Sequence, residues 1–193
     1  MKACTMPICL LCLLSACASR QPDHFYILTA QPRSAGERMA IVPTPVSLRV
    51  SLPSLVDRSE MVINTGAEGV IVLEHERWAA PLSDLVTQVL AQDMERRRND
   101  LLVTGSSGGR SNSPALKVMV DIVELSARKG GQVSVSTHWR ILDLSAAHET
   151  VGGEEFSAPP APDGYAGIAR ALSECLALLA DRLAAQLPHP EGR

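Results

Sequence analysis

The chain has 193 residues, 46% hydrophobic and 20% charged, which suits one domain with a sizeable core. A net charge of −3 and a pI near 5.9 give no basic footprint for nucleic acid.

In chain order, the first signal is a short apolar run from about Met6, with Lys2 as the only charge before it and Leu14-Ser15-Ala16-Cys17 at its end. A run of about nine residues falls well short of the roughly 20 that span a bilayer as a helix. Small residues directly before a cysteine read as a cleaved signal segment over residues 1–16. This ending resembles the bacterial lipobox. The resemblance implies a diacylglycerol thioether on Cys17, cleavage in front of it and an N-acyl chain on the new amine. Several acyl chains hold a protein at a membrane where a single chain is marginal. An ordinary signal peptide with a chance cysteine leaves the four matching residues unexplained.

Cys4, Cys9 and Cys12 leave with the signal, and Cys17 is then a thioether. No internal disulfide is expected, and Cys175 reads as a small buried hydrophobe on an apolar helix face. Ala18 stands where an aspartate retains enteric lipoproteins in the inner membrane, so the expected location is the outer membrane, periplasmic face. Residues 17–24 form a linker. The seven residues between Cys17 and Phe25 reach at most about 25 Å, which keeps the folded body close to the membrane. No later stretch is long and uncharged enough to span a bilayer.

The folded part is expected over residues 25–187, with a tail at 188–193. Phe25 to Leu28 reads as a short strand. Val46, Leu48, Val50 and Leu52 alternate with Ser47, Arg49 and Ser51, the period of a half-buried strand, and Pro53 ends it. Met61 to Ile63 and Val70 to Leu73 read as a hairpin across the turn residues Asn64 to Gly69. Glu76 to Leu82 leads into a helix, with Pro81 in its first turn. Leu82, Leu85, Val86, Val89, Leu90 and Met94 form its apolar stripe. Arg96, Arg97 and Arg98 read as charges at its solvated C-terminal end, complementing the dipole.

Leu101 to Val103 is a brief strand. The glycine- and serine-containing loop from Gly105 to Pro114 lacks the lysine and following helix of a phosphate-binding loop. Leu116, Val118, Val120 and Ile122, the turn at Gly130-Gly131, and Val133, Val135, Thr137, Trp139 and Ile141 make an antiparallel hairpin. Glu149 to Phe156 adds a strand. Asp163 reads as the cap of a final helix from Gly164 to Leu187, whose buried face carries Ile168, Leu172, Leu176, Leu179 and Leu183. With six or seven strands, two long helices and no βαβ alternation, the expected fold is α+β: a mostly antiparallel sheet with both helices packed on one face.

Chemistry is sparse. His75-Glu76 and His148-Glu149 each begin like a zinc-protease motif, but Ala79 and Gly152 stand where the second histidine belongs. Glu74, His75 and Glu76 diverge on a strand, so no metal site is expected. No nucleophile elbow appears, and Cys175 has no histidine near it in sequence. No catalytic residue, metal or cofactor is assigned, and an enzyme is not expected. Two polar and aromatic spots stand out. Asp57-Arg58 is either a turn-fixing ion pair or a partner contact. Arg77-Trp78 is either a cover for the helix base or a binding hot spot.

Tyr26-x-Leu28, Leu48-x-Val50-x-Leu52-Pro53, Val56-Asp57-Arg58, Met61-Val62 and Arg77-Trp78-Ala79-x-Pro81-Leu82 together resemble the PqiC/YmbA-type lipoproteins. A terminal helix with Ser173 and repeated leucines completes the match. These are auxiliary lipoprotein components of ABC-type transport systems. The resemblance implies a non-catalytic outer-membrane lipoprotein working with a periplasmic MCE-domain protein in lipid transport. Its further partners would be an inner-membrane permease or a PqiA-like protein, and the resemblance allows a homo-oligomeric ring. A lipid-binding domain predicts an apolar cleft between helices and sheet, whereas a docking domain predicts a filled core. The alternative is an envelope-maintenance or assembly lipoprotein for another outer-membrane complex. A third class, a periplasmic hydrolase, requires Cys175 or a serine to meet a histidine and an acid in space.

Overall fold

The computed structural model describes residues 21–32, 42–105, 114–159 and 162–188. The expected signal segment and lipidation site, Cys17, the loop after Gly105 and the tail beyond Pro188 lie outside them. Among the described residues, eight strands and two helices follow one another as β1 (His24–Tyr26), β2 (Thr44–Ser51), β3 (Glu60–Asn64), β4 (Val70–Trp78), α1 (Leu82–Arg97), β5 (Leu101–Gly105), β6 (Leu116–Ala127), β7 (Val133–Asp143), β8 (His148–Ala158) and α2 (Gly164–Gln186). The fold is α+β.

The strands form two mixed sheets. One has the order β5-β2-β6-β7-β8 and the other β1-β4-β3. β2 lies parallel to both β5 and β6, while β6-β7 and β7-β8 are antiparallel. The expected antiparallel pairing holds along the longest ladders, β6-β7 and β7-β8, while the second sheet and the parallel placement of β2 go beyond the expectation. Neighbouring strands in sequence usually pair, but β3 and β4 leave to build the small sheet. α1 then carries the chain back to lay β5 parallel beside β2. A crossover containing a helix therefore exists, though no βαβ rhythm announces it.

Alternation puts Val46, Leu48, Val118, Val120, Val133, Val135, Trp139 and Ile141 on one face of the large sheet, where α1 and α2 cover them. The opposite face carries Arg49, Lys117, Asp121, His138 and Arg140 and is wet. The run Ile122-Val123 breaks the period of two. The register shifts between Ile122 and Glu124, so Leu125 and Ala127 turn inward in place of their even-numbered predecessors. One extra residue reverses the face of everything after it.

β4 continues through Glu76, Arg77 and Trp78, beyond the expected strand end at Leu73, because Tyr26 on β1 pairs with Trp78. Asp163 precedes α2 but its side chain does not cap it. The next residue, Gly164, has φ +61°, and the Asp163 carboxylate instead pairs with Arg170.

Candidate functional site: a charged rim over a filled core

Pro53 and Ser54 turn the chain out of β2, and the carbonyl of Pro53 accepts hydrogen bonds from the Val56 and Asp57 amides. This turn places Asp57 at the head of α1. Its carboxylate accepts the Ser83 amide at 3.1 Å, one of the donors that a helix start leaves without an intrahelical partner. Pro81, with φ −49° and ψ 134°, opens the helix without a side-chain cap, and Asp57 supplies one from 26 residues away. No local capping motif reveals this, since the cap and the helix are joined only by the fold.

Arg58 and Arg77 converge on one carboxylate. Arg58 Nε donates to Glu60 Oε2 at 3.0 Å, Arg77 Nη2 lies 2.9 Å from Glu60 Oε1, and Arg77 also donates to Ser59 Oγ. The Arg58 hydrogen bond, aided by further donors and the Arg77 charge, lowers the Glu60 pKa to about 2. Both guanidiniums keep part of their surface in solvent. Trp78 differs: it is 4% exposed and belongs to the core. Its ring supports the rim from beneath, with Leu82 of α1 and Ile168 and Leu172 of α2 around the same small void. Of the four residues singled out in sequence, Asp57, Arg58 and Arg77 therefore reach the surface and Trp78 does not.

The triple arginine is the chief feature that sequence reasoning misplaced. It does not decorate a solvated helix end. Arg97 is a bridge between the two helices: Nη1 donates to the Asp93 carbonyl at 2.9 Å and to its carboxylate at 3.0 Å. Nε donates to Asp181 at 2.8 Å, and Nη2 to the Ala177 carbonyl at 2.7 Å. Arg98 grips Asp100 through two 2.7 Å bonds and reaches the carbonyls of Ala184, Leu187 and Pro188, closing the C-terminus of α2. Arg96 donates to the Ala30 carbonyl at 2.6 Å. The signal for this role was present, since Asp93, Asp100 and Asp181 supply the matching acids, but only packing brings them within reach.

Asp93 is fully buried, and burial raises its carboxyl pKa against the opposing pull of Arg97. Besides Arg97 it accepts the Gln31 amide at 2.9 Å, while the Thr29 amide donates to Ser173 Oγ on α2. The segment after β1 is thus tied to both helices, downstream of the linker.

Elsewhere the chemistry stays dispersed. His75 bonds to Asp23 and His24 to Glu76, on opposite sides of the small sheet as strand alternation requires. Among the described residues no group of three His, Cys, Asp or Glu side chains is placed to hold a metal. Cys175 is buried, its Sγ near the Val133 carbonyl, and burial pushes its pKa up to about 11. A thiol held so far above neutrality has almost no nucleophilic thiolate.

Between the helices and the sheets the interior holds a void of about 10 Å³, lined by apolar side chains such as Val56, Trp78, Leu125 and Leu172. Ligand pockets run to roughly 300–1,000 Å³. A larger concavity, about 430 Å³, is an open trough on the outside of α1 against β5, with Asp84, Gln88, Gln92 and Glu95 in its wall. Ala91, Val103 and Gly105 also line it, so the wall is mixed and open to solvent. No helix among the described residues is long and apolar enough to cross a membrane.

The described residues thus form an α+β domain whose charged groups serve the frame between the helices and the rim above Trp78. The chain belongs to the ABC-type transport auxiliary lipoprotein component family, whose model matches residues 26–184. Two solved structures share the fold. An uncharacterized protein superposes with a TM-score of 0.71 at 15% identity, over 87% of this chain and 100% of its own. A Xanthomonas campestris protein of the DUF330 family does so with a TM-score of 0.63 at 14% identity, over 83% and 92%. No curated protein matches the sequence.

Proposed function

We propose that this chain is the non-catalytic, lipid-anchored subunit of an MCE/ABC-type, Pqi-like lipid transport system, docking the MCE-domain protein at the outer membrane. Anchoring is through diacylglycerol and an N-acyl chain on Cys17. The observation that supports this reading is the close packing between helices and sheets among the described residues. A void of about 10 Å³ is far too small for an acyl chain, so the domain serves transport by holding a partner rather than by carrying lipid inside. Family membership supplies the transport context. Asp57, Arg58 and Arg77 form the partner-facing rim, with Trp78 as its internal support.

The test is affinity isolation from membranes in mild detergent, with mass-spectrometric identification of what co-purifies and Cys17→Ala as the control. The expected result is an MCE-domain protein, lost or reduced in the unanchored variant. Recovery of a different outer-membrane complex without an MCE-domain protein overturns the reading in favour of an assembly lipoprotein.

A further inference from the structure

The second strand position and the residue just beyond β1 carry an anomaly. Phe25 is 63% exposed and Ile27 is 59% exposed, although their neighbours Tyr26 and Leu28 turn inward. Alternate residues of an extended segment share a face, so Phe25 and Ile27 form one outward apolar stripe at the free edge of the three-stranded sheet. Among the described residues β1 is paired on one side only, with β4. Of the other large exposed apolar side chains, Val70 and Ile71 are neighbours at the start of β4, where successive residues turn to opposite faces, and others such as Leu102, Val151 and Leu178 lie singly on separate elements. Exposed aromatic surface of this kind, coupled with another apolar side chain, points to something that covers it.

Charge and chain length say what. The polar groups beside the stripe are engaged with one another: Arg77, in register with Phe25, is ion-paired with Glu60, and Asp23 is hydrogen-bonded to the His75 ring at 2.9 Å. The surface is thus apolar within a nearly neutral surround. Seven residues separate Phe25 from Cys17, a reach of at most about 25 Å.

We propose that Phe25 and Ile27 insert into the phospholipid surface that holds the anchor, so the domain is seated on the bilayer through its three-stranded sheet as well as through its acyl chains. The inference rests on the reading that Cys17 is lipidated. Apolar side chains enter the boundary between headgroups and acyl chains without crossing it, and the stripe adds an orienting contact to an anchor whose acyl chains already hold the domain at the membrane. Arg77, in register with Phe25, then borders the seated face, so the rim of Asp57, Arg58 and Arg77 meets its partner beside the membrane surface. Because the neighbouring charges are paired, the contact is expected to change little with salt.

The two native tryptophans make a direct test available, since Trp78 and Trp139 are both 4% exposed. The acylated protein carrying Phe25→Trp, purified from membranes, is reconstituted on vesicles of phosphatidylethanolamine and phosphatidylglycerol, with and without brominated acyl chains. The added fluorescence is expected to fall about twofold on brominated lipid, while the native protein and a Val151→Trp variant on the large sheet change little. Ile27→Trp, a second reporter, guards against a folding defect in the first. Intact mass and vesicle flotation report the anchor independently. Reporters that stay bright on a protein that is acylated and floats with the vesicles overturn the proposal and leave the anchor standing; so does their burial against a second copy or a protein partner. Absence of the acyl mass and of flotation overturns the anchor reading, and the proposal with it.

Discussion

Replacing Arg97 with methionine removes the bridge between α1 and α2 while keeping most of the apolar volume of the side chain. The consequence is governed by Asp93, which is fully buried and would retain only the Gln31 amide. Breaking a buried ion pair by removing one partner costs about 3–5 kcal/mol, because the remaining charge is left without compensation. The Asp181 arm of the bridge is partly exposed, so solvent screens its share. The retained Gln31 hydrogen bond softens the Asp93 penalty as well. These considerations place the expected loss near the lower end, about 3 kcal/mol, or a fall in melting temperature of roughly 6–12 °C for a domain of this size.

The pH dependence has a definite sign. Burial already raises the Asp93 pKa, so its contribution to native stability is greatest below the ordinary carboxyl range and is lost as pH rises through the raised value. Arg97 opposes that shift, and its removal raises the pKa further. The deficit of Arg97→Met is therefore expected to shrink as the solution is acidified from about pH 7 to about pH 5. Urea unfolding followed by the fluorescence of the buried Trp78 and Trp139 measures it. The double variant Asp93→Asn/Arg97→Met is expected to recover much of the loss, since no buried charge then remains. A loss below about 1 kcal/mol at neutral pH, or strict additivity of the two substitutions, would refute the argument.

Three further outcomes follow from separate contacts. Asp57→Ala removes the remote cap on the Ser83 amide and is expected to cost about 1 kcal/mol in urea unfolding, with Asp57→Asn close to the parent. Gly152→Ala would place a methyl 2.5 Å from the Trp139 ring, which lies across from it on β7; an overpacking cost of about 1–3 kcal/mol and a shifted tryptophan emission are expected. Cys175, held at a pKa of about 11 by burial, is expected to resist a thiol reagent at mildly alkaline pH and to react once denatured, as read by mass spectrometry of its peptide.

Much of this molecule was written in the chain itself. Residues 116–122 and 133–141 alternate so regularly that their hairpin needs no tertiary information, and both helices declare their buried stripes and their ends. Local patterning decides such elements because the period of apolar residues must match the geometry that buries them. The fold class was legible for the same reason, and the family resemblance from motif residues such as Val56-Asp57-Arg58 and Arg77-Trp78-Ala79-x-Pro81-Leu82. The exposed face of Phe25 and Ile27 was not, because a short apolar strand reads alike whether one side or both are covered. Division into two sheets and the parallel placement of β5 beside β2 also waited for the structure, since sequence order carries no record of which strand edges meet. So did the work of Asp57 and the three arginines. A charge on a helix end looks solvated until packing delivers Asp181 to Arg97 and the last carbonyls of α2 to Arg98. Apolar periodicity is a property of neighbours in sequence, whereas the pairing of a buried charge is a property of neighbours in space.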